Sequence, residues 1–248
     1  HTYGLPAEAV KIEKFCKEKN LICIEDAAEA HGQDDHQKPC GSFGMISTMS
    51  FYANKHITSG EGGAILLDSE EMSLKAKQMR NLDFQKNERF QHNNMYWNYR
   101  IGGIQATLGL SQINKLQKTI SKKIEQGNNY INLLKEYQEL FQLPLSGIRQ
   151  SKNHFWVFGI VLKIEKIRDR VINQLLKDGI ETRPFFYPLH LQPFLKNFKN
   201  SKNANLEISK KLGLNGLYIP MGDHISYKVQ KQISETLIKT VNKLKNDY

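Results

Sequence analysis

Lys55 and Asp26 are the residues whose types and settings point to chemistry. Lys55 lies in Ser50-Phe51-Tyr52-Ala53-Asn54-Lys55-His56-Ile57-Thr58-Ser59-Gly60-Glu61-Gly62-Gly63, between a predicted strand over Met45–Tyr52 and a glycine-rich turn feeding a second strand over Ala64–Asp68. A lysine on a short connection between buried strands is shielded from water, and burial disfavours its ammonium form. A neutral amine is the nucleophile that Schiff-base chemistry needs. Taken alone, the stretch also reads as a solvated loop carrying a surface lysine.

Upstream, Asn20-Leu21-Ile22-Cys23-Ile24-Glu25-Asp26-Ala27-Ala28-Glu29-Ala30-His31-Gly32 runs from a short apolar strand, Leu21–Ile24, into carboxylates and small residues. In open α/β sheets ligands sit outside the carboxyl ends of strands, where Asp26 falls. A carboxylate there can keep a pyridine nitrogen protonated, making the ring of pyridoxal phosphate an electron sink. Further on, Arg183 and His190 flank Pro184-Phe185-Phe186-Tyr187-Pro188. That run reads as the border of a pocket, with Arg183 able to pair a phosphate, or equally as a strand end with packed rings. His31 and His224 read as structural.

Periodicity outlines the elements that hold these residues. Val10, Ile12, Phe15 and Cys16, with charges between them, predict a helix over 7–19, with Pro6 suited to its first turn. That helix and the strands at Leu21–Ile24, Met45–Tyr52 and Ala64–Leu67 describe the trailing half of an α/β sheet. A helix over Glu70–Arg80 follows, then a polar segment, Asn81–Tyr96. Apolar residues from Ile104 to Tyr137 recur at helical spacing and predict one long helix or two, with Gly127 as a candidate interruption. Beyond a turn at Pro144–Gly147, a strand over Phe155–Leu162, a helix over Ile167–Lys177, a strand over Ile180–Phe186 and helices over Asn205–Leu212 and Tyr227–Leu244 form a small α+β domain. The expected division is 1–125 and 126–248.

The chain has 248 residues, 40% of them apolar, enough to bury a core in one large or two smaller domains. No apolar run approaches the ~20 residues that span a bilayer and no secretory signal pattern is seen, so a cytoplasmic protein without membrane contact is expected. Cys16, Cys23 and Cys40 lack the spacing of a zinc knuckle, and neither a disulfide framework nor a metal is expected. The formal charge of +10 favours an anionic partner. Charge alone does not choose between a nucleotide sugar and nucleic acid, but the basic residues are scattered along helices without a recognised nucleic-acid motif.

The segments Glu25–Gly32, Gly41–Gly44, Ser50–Lys55, Gly60–Gly63, Trp97–Arg100 and Arg183–His190, in that order, resemble the sugar aminotransferases of the DegT/DnrJ/EryC1/StrS family, and within it the nucleotide-sugar 4-aminotransferases. The resemblance implies the α/β fold of type I pyridoxal-phosphate-dependent transferases. This chain would hold the second part of the large mixed-sheet cofactor domain, followed by a small α+β C-terminal domain.

By the same resemblance, pyridoxal 5′-phosphate would be attached at Lys55. Asp26 would pair with its pyridine nitrogen, Glu29 would lie near the ring hydroxyl and Ser50 would bind the phosphate. Asn98 and Arg100 resemble residues that reach across a dimer interface towards the partner's phosphate and substrate, which implies a homodimer with shared active sites. Arg183 and His190 would contact substrate, and Asn81–Tyr96 reads as a mobile segment near it or as a plain solvated loop. The family pattern also has a further stretch ahead of the point where His1 stands, supplying a small-residue turn for the phosphate and an aromatic ring that stacks on the cofactor.

The expected reaction moves nitrogen from an amino acid, by analogy glutamate, to a keto sugar nucleotide. The alternatives are an aminotransferase for another nucleotide sugar and an incomplete fragment acting only as an interaction module. A sugar dehydratase of the same fold is a further rival. It is expected to carry histidine where Lys55 stands, so Lys55 argues against it.

Overall fold

The computed structural model describes residues 1–84, 87, 89–195 and 206–246. It divides into two compact units, residues 1–120 with 149–156, and residues 121–148 with the chain from 157 onward.

In the first unit, α1 (Ala9–Glu18) leads to β1 (Ile24–Asp26), a hairpin of β2 (Asp34–Asp35) and β3 (Lys38–Pro39), then β4 (Ile46–Ser50) and β5 (Gly63–Leu67). The middle strand of the sheet is β4. It runs parallel to β1, with Asp26 opposite Thr48, and antiparallel to β5, with Ser50 opposite Gly63. Next comes α2 (Glu70–Arg80), whose first turn is capped by the Ser69 hydroxyl accepting the Met72 N–H at 3.2 Å. After α3 (Gly103–Ile113), α4 (Leu116–Leu134) carries the chain across the boundary between the units.

The first strand is not where the apolar run placed it. The paired residues are Ile24–Asp26 rather than Leu21–Ile24, and Leu21 and Ile22 are exposed. Glu25 is the cause. Its buried carboxylate takes five hydrogen bonds, from the N–H groups of Gly41 (2.6 Å), Phe43 (2.8 Å) and Gly44 (3.2 Å), the Ser47 hydroxyl (2.7 Å) and His1 Nε2 (2.8 Å). A carboxylate leaves water only when donors replace the water it loses. Gly41 turns its N–H inward at φ +98°, a conformation that glycine adopts without strain.

The His1, Glu25 and Cys40 donor atoms lie within 4.8 Å of one another, a spacing that could suit a metal. They form a hydrogen-bonded core instead. His1 Nδ1 accepts the Ala7 N–H at 3.0 Å while Nε2 serves Glu25, and burial pushes the Cys40 thiol up to about 12. Around this core pack Ala9, Ala27, Ala30 and Phe43.

In the second unit, the rest of α4 leads to β6 (Phe141–Gln142) and β7 (Gly147–Ile148); β8 (Ser151–Lys152) belongs to the segment that returns to the first unit. Then follow β9 (Phe158–Leu162), α5 (Arg168–Lys177), β10 (Arg183–Pro184), α6 (Glu207–Asn215), β11 (Gly216–Ile219) and α7 (Tyr227–Asn246). One antiparallel sheet runs in the order β10-β11-β9-β6. Phe158, Ile160, Leu162 and Leu217 from its strands are fully buried, as are Leu175 of α5 and Leu237 of α7.

Several expected boundaries shift here for identifiable reasons. The strand over Phe155–Leu162 begins only at Phe158, because Phe155 turns at φ +46° with its N–H bonded to Asn153 Oδ1 (2.8 Å). The strand over Ile180–Phe186 shrinks to Arg183–Pro184, since proline lacks the N–H a ladder requires. Gly127 lies inside an unbroken α4, and the chain breaks instead at Asn114 and Lys115. Flanking Gly127, Gln126 Nε2 donates to Gly222 O and Ile225 O (2.7 Å each), and the Tyr130 hydroxyl donates to Pro220 O (2.8 Å). Those tertiary bonds override the weak helix propensity of glycine. The central strand β11 was not foreseen. Asn205, the expected start of α6, lies outside the described residues, as do Gln85, Lys86 and Glu88 of the Asn81–Tyr96 segment. Among the described residues no helix is long and apolar enough to cross a membrane.

Replacing Glu25 by Ala leaves several buried donors without a partner and should cost the first unit about 3 kcal/mol. Urea unfolding should show the midpoint falling for that unit alone; an unchanged midpoint would mean that the carboxylate does not organise it.

Candidate active site

The site is built on the carboxyl ends of β1 and β4 and on the loop between β4 and β5. Asp26 ends β1 with an exposed carboxylate whose Oδ1 accepts the Ala28 N–H at 3.0 Å. Ser50 ends β4, its hydroxyl oxygen accepting the Tyr52 N–H at 3.2 Å. Glu29 stands in the turn after β1 and its Oε2 accepts the Tyr3 N–H at 2.9 Å.

Lys55 is held by a loop pinned on several sides. Within the loop, Phe51 N–H donates to Gly62 O (2.8 Å), Ser59 N–H to Phe51 O (2.9 Å) and Lys55 N–H to Tyr52 O (3.0 Å). Gly62 sits at φ +138°, and a Cβ there would lie 2.8 Å from the Ser59 hydroxyl, so only glycine closes the turn without displacement. From outside, His31 Nδ1 accepts the Ile57 N–H (3.2 Å), Gln112 of α3 bonds both the N–H and the carbonyl of Thr58 (3.2 and 2.7 Å), and Trp156 Nε1 donates to Asn54 O (2.9 Å).

The lysine side chain turns inward. Its Nζ lies 3.7 Å from Glu29 Oε1 and 4.1 Å from the centroid of the Trp156 ring, and the side chain is only 10% exposed. Burial pushes Lys55 below the ordinary lysine value, with Glu29 and Asp26 opposing the shift. Burial likewise pushes Glu29 above the usual carboxylate range, opposed by the Tyr3 N–H and Lys55. The two shifts agree: each group is moved towards its uncharged form, which is what an amine nucleophile or base requires.

His31 and His56 are buried beside one another, with ring centroids 6.3 Å apart. Burial also lowers the proton affinity of His31. Lys55 Nζ faces Glu29, so an amine is aimed at the carboxylates.

The structure brings Lys55, Asp26 and Glu29 into one electrostatic group, with Ser50 on the neighbouring strand end. Asn98 and Arg100 are exposed elsewhere on the first unit. Asn98 Oδ1 accepts the Arg100 backbone N–H (3.2 Å) and Nε (2.9 Å), and the guanidinium lies 5.8 Å from the Phe84 ring centroid. Among the described residues no hydrogen bond or ion pair joins them to Lys55, Asp26, Glu29 or Ser50. Arg183 and His190 belong to the second unit: Arg183 pairs with Glu181 on an exposed edge, and His190 stands in a short turn, Leu189–Leu191.

Sequence reasoning missed Trp156 and Tyr3. Trp156 was absorbed into the expected strand, and Tyr3 precedes the first periodic element. The chain brings them to Lys55 through long-range bonds. Arg149 Nε pairs with the buried Asp35 (2.9 Å), the Ser151 hydroxyl donates to Asp34 O (2.8 Å) and Gln33 Nε2 to Lys152 O (2.8 Å). No local spacing signals such contacts.

The first unit is thus a mixed sheet with a buried lysine after its middle strand and a carboxylate at the end of the parallel neighbour, the α/β frame of a pyridoxal-phosphate-dependent transferase, and the second is a small α+β unit. The chain belongs to the DegT/DnrJ/EryC1/StrS aminotransferase family, whose model matches residues 1–238. It is 32% identical over 240 residues to a GDP-perosamine synthase from Escherichia coli O157:H7, covering 96% of this chain and 63% of that protein. The chain thus spans less than two thirds of the length of this relative.

Helicobacter pylori PseC, an aminotransferase involved in the biosynthesis of pseudoaminic acid, superposes with a TM-score of 0.88 at 24% identity, over 98% of this chain and 65% of PseC. An Escherichia coli GDP-4-keto-6-deoxy-D-mannose-3-dehydratase does so with a TM-score of 0.78 at 23% identity, over 95% and 65%. Both likenesses show the fold. Since one neighbour is an aminotransferase and the other a dehydratase, the fold alone does not select the reaction.

Because the folded value of Lys55 lies below the ordinary 10.5, the folded chain releases this proton more readily than the unfolded chain does, and its charge works against folding at neutral pH. Lys55→Met should therefore raise the denaturant midpoint of the first unit at pH 7, with the advantage shrinking as pH rises through 10.5. A pH-independent difference would show that burial of the charge is not its source.

Proposed function

We propose that this chain is the lysine-bearing portion of a pyridoxal-phosphate-dependent sugar-nucleotide aminotransferase. It would move an amino group from an amino acid, by analogy glutamate, to a keto sugar nucleotide. The preferred substrate is GDP-4-keto-6-deoxymannose, giving GDP-perosamine for surface polysaccharide such as O-antigen, with the reaction in the cytoplasm. The observation that carries the reading is the half-buried amine of Lys55, moved towards its neutral form beside Glu29 and Asp26. The substrate preference rests on the likeness to GDP-perosamine synthase.

The residues fit the cofactor by their chemistry. Lys55 offers an amine that burial makes nucleophilic, Asp26 an exposed carboxylate at a strand end suited to a pyridinium N–H, and Ser50 a hydroxyl for a phosphate oxygen. When bound, pyridoxal phosphate supplies a carbonyl for amines and a ring that draws electrons from the carbon losing its proton. Lys55 Nζ would hold the cofactor and, once displaced by the substrate amine, would take up and return the proton at the substrate carbon. Asp26 would pair with the ring nitrogen, and Glu29 would lie near the ring hydroxyl.

The reading extends to a homodimer in which Asn98 and Arg100 reach the partner's phosphate and substrate, and in which Arg183 and His190 contact substrate. Support for the homodimer comes from α3, on which no residue is buried and on which Ile104, Leu108, Leu110 and Ile113 stand exposed. An exposed apolar helix of this kind marks an interaction face.

The test is incubation with pyridoxal phosphate, borohydride reduction and mapping of the labelled peptide, on this chain and on one extended upstream. Label should fall on Lys55 and vanish in Lys55→Ala, and a label on another lysine would overturn the assignment. In the extended chain, Asp26→Asn should keep the label but slow aminotransfer by on the order of 100-fold or more; unchanged turnover would remove Asp26 from the chemistry.

A further inference from the structure

We propose that Trp156 is a positioning residue that seats the free amine of Lys55: its ring face holds the ammonium form and its indole N–H anchors the loop that carries the lysine. The catalytic meaning of this seat rests on the reading of Lys55 given above; the seat itself does not.

The geometry places two different parts of one side chain on the two things that fix a lysine amine, its head and its backbone. The face of the ring lies 4.1 Å from Nζ, well inside the range in which the electron-rich face of tryptophan attracts a cation. The edge of the same ring donates from Nε1 to the carbonyl of Asn54 at 2.9 Å, the peptide that precedes Lys55. Trp156 is 4% exposed, so this attraction acts with little screening by water.

The ring is itself held. His154 N–H donates to Gly4 O (3.1 Å) and Phe155 N–H to Asn153 Oδ1 (2.8 Å), so the backbone leading into Trp156 is tied down at the positive-φ residue Phe155 and at the residue before it. Tyr3 lies with its ring centroid 5.8 Å from that of Trp156, and its own N–H bonds Glu29, the carboxylate 3.7 Å from Nζ. Lys55, Glu29, Tyr3 and Trp156 therefore form a closed circuit of contacts around one nitrogen.

Such a circuit answers a need of any reaction in which a lysine alternates between a bonded and a free state. A free lysine has a long flexible stem and would swing into solvent. Glu29 and Trp156 give Nζ a place to rest within reach, and they act in the same direction, both favouring the ammonium that burial disfavours. Deleting the ring should tip that balance further towards the neutral amine. A tryptophan that merely fills space over the loop would only shield Lys55 from water, and deleting it would leave the proton affinity of Lys55 unchanged or raise it.

The test uses the whole chain without cofactor. Lysines are methylated reductively with 13C-formaldehyde, the Lys55 signal is identified by its loss in Lys55→Arg, and its pH titration is followed by NMR. Trp156→Leu should lower the Lys55 midpoint by about one pH unit, with Trp156→Phe intermediate. Midpoints that are unchanged or raised in the two variants would overturn the proposal.

A second measurement leaves Trp156 in place and so does not depend on the variants folding. In a Trp97→Phe background the emission of Trp156 should titrate with the Lys55 midpoint, and the titration should disappear in Lys55→Met. Emission that ignores the state of Lys55 would likewise sink the seat. A chain that shows both titrations but takes no pyridoxal phosphate label would refute the cofactor reading while leaving the seat intact.

Discussion

A carboxylate without water must find donors, and the first unit is arranged to supply them to Glu25. Three backbone N–H groups, those of Gly41, Phe43 and Gly44, the Ser47 hydroxyl and the His1 imidazole all converge on that one group. The consequence is positional. With Glu25 fixed in the middle of β1, its neighbour Asp26 is delivered to the carboxyl end of the strand and exposed there, and β4 is drawn alongside through Ser47. The chemistry of Asp26 thus depends on the burial of the residue before it. The cost of desolvating one carboxylate is offset by five hydrogen bonds, and the gain is a second carboxylate held where a ligand can use it.

The two units solve the problem of stability in different ways. The second is held by fully buried Phe, Ile and Leu side chains on one face of an antiparallel sheet, and such packing alone suffices for a small domain. The first relies on polar bonds to special groups, and several of its sheet residues, Ile24, Ile65 and Leu66 among them, remain exposed. Hydrogen bonds are directional where apolar contacts are not. A site that must hold an amine, two carboxylates and a hydroxyl in fixed relation is better served by the directional kind.

The sequence made legible whatever was local. The lysine loop, the glycine turn and helix α2 follow from residue types at short spacing, and the structure places them accordingly. What stayed hidden is long-range. An apolar run marked Leu21–Ile24 as a strand, yet the strand includes Glu25, whose donors come from residues up to 24 positions away. Trp156 looked like one more aromatic in a strand, because nothing near it announces that Arg149, Ser151 and Lys152 are bound back to Gln33, Asp34 and Asp35. Gly127 looked like a helix breaker, because the bonds of Gln126 and Tyr130 that hold α4 around it involve residues some ninety positions on.

Lys55 illustrates why the fold could not by itself name the reaction. The same architecture accommodates an aminotransferase and a dehydratase, so side chains and not the fold set the reaction. In this chain the side chain that faces Glu29 is an amine, and the buried imidazole next to it packs against His31 instead. Burying an amine is unfavourable, and a protein selected only for stability would place an apolar residue there. A loop that carries a lysine, ties its backbone to His31, Gln112 and Trp156, and faces its nitrogen with a carboxylate and an indole ring is the arrangement that the proposed chemistry of Lys55 would require.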